Sequence, residues 1–103
     1  MNGIYHADFS SQIGSGSGTV YLHDGSIRGG DATVAYWGKY AINNGALSAE
    51  VAILQHGTGF SILGDAKSLS IQGRLDGNTI RGAGTVPGHP IQAQIQLHKV
   101  ADL

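Results

Sequence analysis

Leu22–Ile42, LHDGSIRGGDATVAYWGKYAI, is the stretch whose reading decides the fold. It reads as a strand end, a tight turn, a short strand, a second bend and a long aromatic strand. Asp24-Gly25 has the chemistry of a two-residue hairpin turn. Such a turn needs positive φ, which glycine takes freely and aspartate tolerates. Gly29-Gly30-Asp31 marks the second bend, and Asp31 is placed there to cap backbone amides. Val34, Tyr36, Gly38, Tyr40 and Ile42 then fall on one face at a period of two, the signature of a half-buried strand.

The same alternation continues on both sides. Gly3 to Ser11 sets Tyr5, Ala7 and Phe9 against His6, Asp8 and Ser10. Gly14 to Gly18, alternating glycine and serine, reads as a flexible loop before a strand from Gly18 to Asp24. After the aromatic strand, Asn43-Asn44-Gly45 is a strong hairpin signal. Leu47, Ala49, Val51 and Ile53 then point one way, with Ser48 and Glu50 the other. Gly57 to Ala66 breaks the pattern, and Phe60, Ile62 and Leu63 are expected to form one helical turn lidding an open end. Three strands close the chain: Lys67 to Leu75, Asn78 to Val86 after the Asp76-Gly77 turn, and Ile91 to Val100.

Eight strands at roughly twelve-residue spacing, joined by short antiparallel turns, each carry one apolar face. That face must be buried on itself or on a second sheet. The expected fold is all-β: an eight-stranded antiparallel up-and-down barrel, which also removes the sheet edges. A two-sheet β-sandwich is the alternative. With 103 residues the chain is one domain, residues 1–103, around one hydrophobic core.

Composition narrows the function. The net charge of −1 offers no footprint for direct nucleic-acid binding. There is no cysteine, which removes disulfides, thiolate metal sites and cysteine nucleophiles. No basic stretch followed by an apolar run opens the chain, and no run approaches the ~18 apolar residues of a membrane helix. A cytoplasmic protein with no membrane role is expected. No serine sits in a nucleophile elbow and no two acids face each other inside the sheet, so the chain is expected not to be an enzyme and to use no cofactor.

Three groups of residues remain. A first hairpin turning near Gly14-Ser15 sets His6 opposite His23, with Asp8 on the same face and His98 near if the last strand pairs with the first. These could meet a metal, but solvated surface side chains are the ordinary reading, and no metal site is assigned. Tyr21 and Trp37 are outward aromatics with the character of partner contacts. Tyr5, Phe9, Tyr36 and Tyr40 face inward, where they line either a filled core or a site for a small apolar ligand.

Gly3-Ile4-Tyr5, Gly16 to Val20, Asp24-Gly25 to Gly29-Gly30-Asp31, Tyr36-Trp37-Gly38-Lys39-Tyr40, Val86 to Pro90 and Ala101-Asp102-Leu103 together resemble the GrlR family, named for a negative regulator of type III secretion genes. The resemblance covers most of the chain. It implies a lipocalin-like barrel that forms a homodimer and regulates transcription by binding a transcriptional activator. The expected function is therefore a non-enzymatic regulatory or protein-interaction barrel, with a small-ligand-binding barrel as the alternative.

Overall fold

The computed structural model describes residues 1–57 and 67–103. The helical turn expected at Phe60, Ile62 and Leu63 lies outside the described residues. The eight strands are β1 (Gly3–Ser11), β2 (Gly14–His23), β3 (Ser26–Gly30), β4 (Val34–Asn43), β5 (Ala46–Gln55), β6 (Ser68–Asp76), β7 (Thr79–Thr85) and β8 (Gln92–Ala101). Each pairs antiparallel with the next, and β8 pairs with β1 to close an up-and-down barrel. The sandwich alternative is thereby excluded. Among the described residues there is no helix, and so none long and apolar enough to cross a membrane.

Closure follows from the alternation. Ala7, Val20, Leu22, Leu47, Ala49 and Ile80 are buried side chains from four strands that meet in one core. A second cluster, Val34, Ile53, Leu69 and Val86, fills part of the opposite end. The hairpin signals hold: Asp24 and Asn44 have φ of 49° and 53°, and Gly25 and Gly45 have 84° and 78°. Two successive positive φ values match the right-handed twist of the flanking strands. Inward glycines mark close strand contacts rather than open space. A Cβ on Gly38 would strike the carbonyl oxygen of Glu50, and one on Gly82 would lie 2.5 Å from the carbonyl oxygen of Gln72. Such positions let a small barrel turn its corners.

One segment departs from expectation. Gly14 to Gly18 is not a loop; it is the first half of β2, and the turn is Gln12-Ile13. The reason lies in the neighbouring side chains. A Cβ on Gly16 would come 3.1 Å from the Phe9 ring, and one on Gly18 would collide with the Tyr36 hydroxyl. The strand is small there because aromatic rings from β1 and β4 lie over it. The register moves accordingly, so that Gly3 pairs with Leu22 and His6 with Thr19.

The barrel therefore has two unlike ends. The Asp24-Gly25, Asn44-Gly45 and Asp76-Gly77 turns gather at one end with both chain termini. The Gln12-Ile13 turn, the Asp31 bend, the end of β5, the start of β6 and the connection 86–91 lie at the other.

Candidate functional site: the barrel interior and its mouth

A cavity of about 310 Å³ runs down the barrel from the loop end. Its wall is mostly aliphatic, including Val20, Leu22, Val51, Ile71, Ile95 and Leu97. At ~30 Å³ per liquid water, its volume equals that of about ten waters. It sits at the small end of the range for ligand pockets. Among the described residues, Asp31 is the only carboxylate on the wall, and no lysine, arginine or histidine lines it. Ser15, Ser17 and Thr33 add polar groups toward the mouth.

The four inward aromatics divide between the two ends. Phe9 and Tyr36 line the cavity, packed edge to face with ring centroids 6.3 Å apart and planes at 90°. Tyr5 and Tyr40 are also interior but belong to the turn end, off the cavity wall. There the Tyr5 hydroxyl donates to the carbonyl of Met1 at 3.1 Å. Burial raises the Tyr5 pKa, with Lys99 pulling the other way and Tyr40 and Asp102 adding to the rise. Lys99 in turn pairs with Asp102 at 2.5 Å; that bond raises the lysine's pKa and lowers the aspartate's.

Tyr36 is built differently. Its strand position faces Gly29 on β3, which has no side chain, so the ring extends across that strand toward Gly18 on β2. The hydroxyl comes to rest where a Gly18 Cβ would stand. It is buried and has no hydrogen-bond partner. Burial pushes its pKa well above the ordinary tyrosine value, and the nearby Asp31 carboxylate adds to the rise. A buried hydroxyl without a partner costs about 1–3 kcal/mol.

Asp31 performs the capping role expected of it. Its Oδ1 accepts from the backbone N–H groups of Thr33 and Val34, both at 2.8 Å. The Asp31 N–H donates to the Val34 carbonyl at 2.9 Å, closing the bend. The Thr33 carbonyl then accepts from His56 and Gly57, which ties the bend to the end of β5. This side of the mouth is thus held by the Asp31 carboxylate and by backbone bonds.

The outer face holds the rest. His6 lies opposite Thr19 and His98, not His23, because the first hairpin turns two residues earlier than expected. His6 Nε2 meets Asp8 Oδ1 at 3.1 Å, while His23 Nε2 lies 3.4 Å from Asp24 Oδ2. His98 Nδ1 shares a hydrogen bond with Thr79 Oγ1 at 3.1 Å. Among the described residues no three histidines or carboxylates are placed to hold a metal. Tyr21, Arg28 and Trp37 stand side by side in one cross-strand row. Both aromatics are exposed, as is Leu54 one step along β5. Sequence reasoning singled out Tyr21 and Trp37 but neither the row nor Leu54, since the row depends on register.

The chain matches no known protein-family model and no curated protein sequence. The reading of its function therefore rests on its own residues.

Proposed function

We propose that this barrel is a non-enzymatic binding protein for a small apolar molecule held in its interior. The observation that carries the reading is the aliphatic cavity of about 310 Å³ reaching the loop end between Phe9 and Tyr36. Closing a barrel does not by itself require such a space, since eight strands are just narrow enough for side chains to fill. Titration with propylbenzene, followed by amide NMR, tests it. Resonances of Ala49, Val51 and Ala93, whose residues line the cavity, are expected to move together. A folded barrel whose interior resonances stay still at millimolar propylbenzene would overturn the reading.

A second reading is supported by the outer row of Tyr21, Arg28 and Trp37 with Leu54 beside it. Tyrosine, tryptophan and arginine are the residues that concentrate binding energy at interfaces. This face would join two copies as a homodimer or dock a protein partner. The regulatory role implied by the GrlR resemblance, in a cytoplasmic setting, would act through it. Sedimentation equilibrium of the wild type and of Trp37→Lys is the test. A dimer lost in the variant is the expected result; a wild-type monomer that captures no activator would remove this reading.

A further inference from the structure

The head group that the mouth would select can be argued from its polar atoms. Asp31 brings the only formal charge on the cavity wall among the described residues, and it is negative. One of its oxygens is engaged by the amides of Thr33 and Val34. The cations of the turn end are remote from this point: Lys99 is paired with Asp102 beside Tyr5. An anionic head entering the mouth would lose its water and meet a carboxylate, with no cation on the described cavity wall to offset either cost.

A neutral head faces a different arrangement. The Tyr36 hydroxyl has no partner, and Asp31 is close enough to act on its ionisation. A carbonyl can accept from Tyr36 but has nothing to donate to Asp31. An ammonium can donate to Asp31 but cannot accept the tyrosine proton. A hydroxyl does both, donating to the carboxylate and accepting from the phenol. Resting on the ligand-binding reading above, we propose that the cavity takes a neutral apolar molecule with a single hydroxyl head, seated between Asp31 and Tyr36. The Tyr36 side chain turns from Gly18 toward the cavity to meet that head, exchanging an empty contact for a hydrogen bond.

Three probes of one shape test this: 3-phenylpropan-1-ol, 3-phenylpropanoate and propylbenzene, each titrated by NMR into the wild type, Tyr36→Phe and Asp31→Asn. The alcohol is expected to bind the wild type about fivefold tighter than propylbenzene, the scale of one net hydrogen bond. The carboxylate is expected to bind more than about tenfold weaker than the alcohol. Tyr36→Phe should bring the alcohol's affinity down to that of propylbenzene in the same variant. Asp31→Asn keeps an amide-capping oxygen and should recover much of the carboxylate's binding. A wild type that prefers the carboxylate, or binds alcohol and hydrocarbon equally, overturns the hydroxyl assignment and leaves the cavity reading in place. That comparison needs no variant to fold. An alcohol advantage that survives in a folded Tyr36→Phe protein overturns it too. If none of the three moves an interior resonance, the cavity reading itself falls.

Discussion

The two ends of the barrel share the same eight strands, yet among the described residues one is closed on itself and the other borders the cavity. At the turn end, tight hairpins shorten every link, and Tyr5 is buried with its hydroxyl on the Met1 carbonyl. Asn2 adds a bond to Asp24 at 3.1 Å, and Lys99 meets Asp102. At the loop end, the Tyr36 hydroxyl is buried without a partner, and the Asp31 bend is held by that residue's carboxylate, which accepts from two backbone N–H groups. Two tyrosines on the same interior surface thus have opposite fates. On the ligand-binding reading, the difference teaches that sealing and binding would fall to separate ends. The first consolidates the fold, and the second retains an unsatisfied group that a ligand can satisfy.

The sharpest way to break this division is to truncate one ring at each end. Tyr5→Ala empties a packed, buried site and is expected to cost about 3–5 kcal/mol, a large share of the 5–15 kcal/mol of a typical domain. Phe9→Ala enlarges a space that already exists and is expected to cost less than about 2 kcal/mol. Urea denaturation of the two variants measures the gap. Equal losses would mean that the ends are not mechanically distinct.

Glycines give the next contrast. Gly38→Ala pushes a methyl into the Glu50 carbonyl, which is backbone and cannot step aside, so a loss of about 2–3 kcal/mol is expected. Gly16→Ala meets the edge of the Phe9 ring beside a cavity, and less than about 1 kcal/mol is expected. Thermal unfolding of both proteins checks the order.

A subtler pair differs in sign. Tyr5→Phe removes a satisfied hydroxyl and is expected to destabilise by about 1 kcal/mol, whereas Tyr36→Phe removes an unsatisfied one and is expected to stabilise by about 1 kcal/mol. Chemical denaturation reads both, and a destabilised Tyr36→Phe would show that its hydroxyl is already bonded.

A further effect appears only in alkali. Burial, and then Asp31, raise the pKa of Tyr36 in the folded state. Above pH 10 the unfolded chain gives up this proton while the folded chain keeps it. The stability contributed by the neutral phenol is therefore complete below pH 10 and declines as pH rises beyond it. Tyr36→Phe should remove up to about 1.4 kcal/mol per pH unit from that slope. Denaturation midpoints at pH 9.5, 10.5 and 11 measure it as a difference from wild type. An unchanged slope would place the phenol in water.

Most of the architecture was legible because it depends on period-two alternation and turn chemistry, both local. Val34 to Ile42 and Leu47 to Ile53 read as half-buried strands and are strands. Asp24-Gly25 and Asn44-Gly45 read as hairpins and adopt the positive φ that this requires. Gln12-Ile13 carries no such signal, and the glycines after it pointed to a loop; their smallness answers rings from other strands, which no local window contains. The misplaced turn shifted the β1–β2 register and with it the supposed His6–His23 pairing. The inward direction of Phe9 and Tyr36 was readable. That Tyr36 would reach Gly18 unpartnered, while Tyr5 and Tyr40 would lie off the cavity wall, depends on closure in three dimensions.

The ladder between β1 and β8 has a further consequence, which concerns the order of folding. Every other ladder joins strands adjacent in sequence, whereas this one brings Ile4 beside Ala101. The seven sequential ladders enclose connections of at most twelve residues; the seam encloses nearly the whole chain, and its closure entropy is correspondingly the largest. The seam is thus expected to form last and to part first. Pulse-labelled hydrogen exchange would show β8 amides facing β1 protected after those facing β7, and simultaneous protection of both edges would refute the order. On this account the cavity does not exist until the final step, so an apolar ligand would meet a curled open sheet earlier and a finished container only at the end.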